Sequence, residues 1–308
     1  MNPDLPAEAV EFGAAARKAF DALGAVDSAR RAELDPDLRG GEIAATLASL
    51  GAADVDPTGD LDTALAAAEL CRAAGRVALP YPVPGVLLSI DGRPFAVVSG
   101  SSPVDHGDLF PAWTVAGLDG SAHAAVPGRR LATRLGPFVT PVTMGDAAGS
   151  APRHVLLHLT LTGWTVLGAL ERAIELAVDH VRERIQFGKP LATFQAVQFQ
   201  LADAAVAVDG LRELCRYTMW RVFADPDAAG PDALALRLAA LDTARPVLRT
   251  AQQLFGAAGV CEEYDVSVIA RHLQPALRLP CGPDRTAAAL VAAVRSTGFE
   301  SLFPHGGR

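Results

Sequence analysis

The chain has 308 residues, half of them hydrophobic and 6% aromatic, with a formal charge of −8. That length suffices for two or three domains with sizeable cores, and an Ala- and Leu-rich, aromatic-poor mix favours closely packed helices. The acidic balance argues against nucleic acid and anionic membranes as partners, because both need a positive field.

Cys71, Cys215, Cys261 and Cys281 show no C-x-x-C pair and no zinc-ligand spacing, so no metal is expected. The opening Met1-Asn2-Pro3-Asp4 lacks the basic flank and apolar run of an export signal. No apolar stretch reaches the roughly 18 residues of a membrane span, and the expected compartment is the cytoplasm.

Residues 7–79 read as short helices punctuated at Gly40-Gly41, Pro57-Thr58-Gly59 and the cluster Pro80-Tyr81-Pro82-Val83-Pro84. Within them, Leu61, Ala64, Leu65, Ala68 and Cys71 recur at helical spacing. Between residues 92 and 152 the pattern changes. Pro94-Phe95-Ala96-Val97-Val98 and Trp113-Thr114-Val115-Ala116 are β-type runs, and Asp119-Gly120 marks a hairpin turn, so five or six short strands are expected.

Long helical patterns return after Val155. Leu167, Leu170, Ile174, Ala177 and Val181 define one helix, and Val197, Leu201, Ala204, Val208, Leu211 and Cys215 the next. Phe187-Gly188-Lys189-Pro190 breaks the pattern between them and predicts an antiparallel pair. A third helix is expected over residues 232–255 with a kink or restart at Pro246, followed by short helices over 265–273 and 283–295. The predicted organisation is mainly α: an N-terminal helical domain (1–91), a reduced β domain (92–152) and a C-terminal helical bundle (153–308).

Two segments carry chemistry. Arg182-Glu183-Arg184-Ile185-Gln186-Phe187-Gly188-Lys189-Pro190-Leu191, continuing through Phe194-Gln195-Ala196-Val197-Gln198-Phe199 to Leu201-Ala202-Asp203, closely resembles the R-x-x-F-G…Q-x-V-Q…L-A-D segment of the acyl-CoA dehydrogenases. Gln253-Leu254-Phe255-Gly256-Ala257-Ala258-Gly259, then Glu262-Glu263-Tyr264, is similar to that family's Q-x-x-G-G-x-G turn and its acidic-aromatic step. The run from Ala68 to Pro82 resembles the end of the family's N-terminal helical domain.

The resemblance implies a role in FAD binding, because in that family the C-terminal bundle of one subunit reaches the adenine and pyrophosphate end of its neighbour's cofactor. Arg184 would donate to the pyrophosphate, Gln186 and Gln253 would add amide hydrogen bonds, and Phe187, Leu191 and Phe194 would wall the adenine. Gly256 would let the backbone approach closely. Read singly, the same residues are also ordinary helix-end, core and turn residues.

Other family features are missing. Neither the T-E-P…G-S-D loop nor the W-I-T/S-N strand that holds the flavin ring occurs between Gly92 and Pro152. Counting from the second motif, the usual catalytic glutamate falls near Pro280-Cys281-Gly282, where no carboxylate stands; the alternative position falls on His158. Glu263 is the other candidate base, with Glu262 beside it.

The pattern resembles the smaller subunit of heteromeric α2β2 acyl-CoA dehydrogenases from bacterial steroid degradation, a branch of lipid metabolism. It implies a flavin-type partner that supplies the base, a shared FAD and a bulky acyl-CoA substrate. A complete but atypical dehydrogenase using Glu263 or His158, and a non-catalytic scaffold, are the competing expectations.

Overall fold

The computed structural model describes residues 5–100, 102–130 and 135–297. Five helices come first: α1 (Ala7–Ala22), α2 (Asp27–Leu34), α3 (Glu42–Ser49), α4 (Leu61–Arg76) and α5 (Val83–Leu87). Asp60 starts α4 as an N-cap, its carboxylate accepting from the Thr63 amide at 2.8 Å. The small residues Ala64, Ala67, Ala68 and Ala74 then let α4 pack closely against its neighbours.

Six short strands follow, as the β-type runs predict: β1 (Phe95–Val97), β2 (Val104–Asp105), β3 (Trp113–Ala116), β4 (Ser121–Pro127), β5 (Val139–Thr140) and β6 (Val142–Ser150). The main sheet has the order β1-β3-β4-β6, with β3 and β4 joined by the expected Asp119-Gly120 turn. β1 lies parallel to β3, and the remaining strands form a separate β2-β5 pair. β6 leaves its outer surface almost wholly exposed.

The C-terminal part is built on α6 (Pro152–Glu183), α7 (Gln195–Ala224) and α8 (Gly230–Phe255), with α9 (Asp265–His272), α10 (Gln274–Arg278) and α11 (Pro283–Thr297) behind them. α6 is the central rod, about 48 Å long at 1.5 Å per residue, touching α4, α7, α8, α9 and β1. α4 and α6 meet at two facing glycines. A Cβ on Gly168 would lie 1.9 Å from the Arg72 carbonyl oxygen, and one on Gly75 would lie 2.0 Å from that of Thr165.

Beside that contact, the buried Glu171 carboxylate accepts from Arg72 at 2.8 and 2.9 Å and from Arg212 at 2.9 and 3.1 Å, tying α4, α6 and α7 together. A single apolar core runs from α1 and α4 through α6 into α7 and α8; a smaller one lies in the sheet region around Trp113 and Val115.

The sequence reading needs three corrections. Pro246 does not restart its helix: α8 runs through it, and Pro246 and Asp242 are both exposed, so water can take up the carbonyl that loses its partner. The break between α6 and α7 contains a small hairpin, β7 (Ile185–Gln186) with β8 (Lys189–Pro190). α10 is an additional helix that periodicity over five residues cannot reveal.

Candidate functional site

A partly open cleft of about 150 Å³ lies where the end of α4, α5, the edge of the sheet, the start of α6 and the α9–α10 region meet. Its wall is mostly apolar, but His158, Arg237, Asp105, His106 and His272 also line it. His158 is placed two turns into α6 and stands edge-on to Phe95, with ring centroids 5.9 Å apart. Its buried Nδ1 has no hydrogen-bond partner.

Arg237 comes from α8 and is 4% exposed. Its Nη1 donates to the Ala276 carbonyl at 3.2 Å and its Nη2 to the Cys281 carbonyl at 2.8 Å, while its buried Nε has no partner. Burial lowers its pKa to about 10, which leaves it cationic at neutral pH. Burial, and then Arg237, push His158 down to about 4, so it is neutral.

On the sheet side, burial raises the Asp105 carboxyl to about 7, against the His106 amide and Arg39, which favour its charged form. His106 is held well below its ordinary range by burial and by Arg39. Arg39 itself grips Asp108 with two hydrogen bonds of 2.7 and 3.0 Å and lies 4.2 Å over the Phe138 ring. At the α9 edge, Glu33 meets His272 Nε2 at 2.6 Å and also pairs with Arg271.

The opposite end of α6 has a different character. Arg184 ends the helix, and Phe187 and Gly188 turn the hairpin with φ of +52° and +79°, as a two-residue turn of the primed type demands. Phe187 is 90% exposed, an aromatic in a left-handed conformation that costs roughly 1–2 kcal/mol. It stands edge-to-face with Phe194 at 6.2 Å, and the Leu191 amide donates to the Arg184 carbonyl at 2.9 Å.

With its amide oxygen turned toward Arg184, Gln186 accepts from Nη2 at 2.9 Å and from Nε at 3.3 Å. No carboxylate among the described residues pairs with the exposed Arg184 guanidinium. Gln253 and Gly256 belong to the same end: Phe255, between them, stacks on His180 at 4.1 Å, one turn before Arg184. Gly256 has φ +65°, with nothing within 4 Å of a would-be Cβ.

The residues singled out from the sequence thus divide between two places. Arg184, Gln186, Phe187, Leu191, Phe194, Gln253 and Gly256 gather at one end of the bundle, about 40 Å along the helix from His158. Glu263 is exposed in the turn before α9 and does not line the cleft; its neighbour Tyr264 stands edge-to-face with Phe255 at 5.7 Å. His158 does line the cleft, but beside a cation and with its pKa near 4 it is a poor proton acceptor.

Sequence reasoning missed Arg237. Its signal was present: in the register Ala233, Arg237, Ala240, Ala244, a charge occupies a core position of α8. Among the described residues no group of His, Cys, Asp and Glu could hold a metal ion, and no helix is long and apolar enough to cross a membrane.

Residues 160–294 match the model of the acyl-CoA dehydrogenase C-terminal domain. The short-chain-specific acyl-CoA dehydrogenase of Megasphaera elsdenii is 36% identical over 113 residues, which cover 36% of this chain and 28% of that protein. The match therefore spans less than a third of that curated relative's length. The ChsE4-ChsE5 complex from Mycobacterium tuberculosis superposes with a TM-score of 0.77 at 19% identity, covering 99% of this chain and 100% of the other. A Tcur3481-Tcur3483 steroid ACAD variant gives 0.76 at 20% identity, covering 94% and 98%. The chain has the acyl-CoA dehydrogenase fold, and its residues 160–294 are similar to the C-terminal domain of that family.

Proposed function

We propose that the chain is one subunit of a heteromeric, flavin-dependent acyl-CoA dehydrogenase, lending the exposed end of α6 to an FAD held mainly by a partner subunit. The observation that carries this reading is the pairing of an unneutralised Arg184 with a strained, exposed Phe187, far from the chain's own cleft. A cation kept without a carboxylate suits an anion from outside the chain, and an aromatic held at positive φ in solvent suits a surface to be covered.

The residues present fit the adenine and pyrophosphate half of such a cofactor. Arg184 would donate to the pyrophosphate with Gln186 fixing its plane, Gln253 would add an amide, and Phe187, Leu191 and Phe194 would exclude water from the adenine. Gly256 leaves its backbone open to approach. When bound, the flavin would accept hydride from the acyl chain; the carboxylate that takes the α-proton would belong to the partner. Both complexes with this fold are named as pairs of proteins, and one is named a steroid ACAD. That supports a two-component assembly acting on a bulky acyl-CoA, with α2β2 stoichiometry as its expected form.

The visible spectrum tests the reading. The chain purified alone should be colourless, and the complex with a co-expressed flavin-type subunit yellow; Arg184→Ala or Gln253→Ala should lower the flavin content of that complex. Stoichiometric flavin and dehydrogenase activity in the isolated chain would overturn it, and flavin content unchanged by both substitutions would leave the chain a scaffold.

A further inference from the structure

The cleft holds a charge that the fold does not balance. Arg237 is buried, and its two Nη groups are taken up by backbone carbonyls, which need only neutral donors. What remains is a full positive charge and an unpartnered Nε, with no carboxylate among the described residues to meet them. An isolated buried cation is costly, and its ordinary remedy is an anion brought to it.

His158 supplies the second half of the argument. Its buried Nδ1 is also without a partner, and it lies close enough to feel the Arg237 charge. A neutral imidazole carries one N–H and does not repel the guanidinium. Both residues line a cleft whose other walls include Leu79, Val83, Phe95, Val97 and Leu273, with Asp105, His106 and His272 also lining it, and each keeps a polar atom that the fold leaves unpartnered.

We propose that Arg237 and His158 form the receptor for a carboxylate carried on an apolar body that fills this cleft. One arginine, with a mostly apolar wall and Asp105 also lining the cleft, suits a monoanion; a phosphate dianion would stay half-neutralised and would also meet that carboxyl. The proposal does not depend on the flavin half-site, which lies at the other end of α6.

The test uses the full chain without flavin or partner. Calorimetry would compare decanoate with 1-decanol, and suberyl-CoA with octanoyl-CoA, so that a free acid and the far carboxylate of a CoA thioester are told apart. At least one carboxylate probe should bind about tenfold or more tightly than its counterpart, and Arg237→Gln should abolish that preference. His158→Leu breaks no hydrogen bond described here, so it keeps the test open if Arg237→Gln fails to fold; it should weaken the carboxylate probe and spare the uncharged one. Equal affinity within both pairs, no binding at all, or a preference that survives the substitutions would overturn the proposal.

Discussion

The two ends of α6 are made of similar residues put to opposite uses. At the start of the helix, Arg237 is buried and His158 half-buried, and each keeps one buried nitrogen, Nε and Nδ1, without a partner; at its end, Arg184 and Phe187 are exposed and one of them is strained. Burial sets the chemistry at the first end by holding one group neutral and leaving the other an unmatched charge. At the second, backbone geometry sets it, by presenting an arginine and two aromatics on a tight turn. A charged residue's meaning here depends less on its type than on whether water can reach it.

That contrast requires a rigid rod between the ends, and the sharpest way to break it is at the middle of α6. Glu171→Ala removes the buried carboxylate that Arg72 and Arg212 share, leaving Arg72 with Glu69 alone and Arg212 with the more exposed Asp209. A loss of about 3–5 kcal/mol in unfolding free energy is expected, measured by urea denaturation. Next in size is Gly168→Ala, whose Cβ would collide with the Arg72 carbonyl and push α4 off α6. It should cost about 1–3 kcal/mol, and a loss below about 0.5 kcal/mol would mean that the helices separate freely.

How legible each end was follows from the range of its interactions. The exposed end could be read because its motif is contiguous: Arg184 to Phe194 spans eleven positions, and the glycine in it announces the turn. Even there, the left-handed Phe187 was hidden, because glycine, not phenylalanine, is the residue that signals positive φ. The cleft end depends on contacts such as Arg237 with Cys281, separated by 44 positions, and on the parallel pairing of β1 with β3. No local pattern encodes either.

Phe187→Gly sharpens the contrast by separating fold from use. Glycine relieves the left-handed strain, so the isolated chain should gain up to about 1 kcal/mol, less the entropy that glycine loses on folding. The flavin content of the complex with a partner should fall at the same time. Equal or lower stability in the variant would show that the exposed ring is held by packing within this chain.

The smallest effect belongs to the buried end and appears only in acid. The pKa of His158 is lowered to about 4, so its contribution to stability is complete above pH 6.5 and is lost as pH falls toward 4, because the unfolded chain takes up a proton that the folded one refuses. His106 shifts in the same direction, and Asp105 in the opposite one, since its folded form holds a proton below about pH 7 that the unfolded chain has released. The wild-type acid profile mixes all three, but its difference from His158→Leu isolates one. Urea midpoints at pH 7 and pH 5 should show the variant losing less on acidification, by roughly 0.5–1 kcal/mol after allowance for solvent reaching the cleft. Equal losses in the two proteins would mean that His158 accepts a proton within the fold, and that the cation of Arg237 is not what it faces.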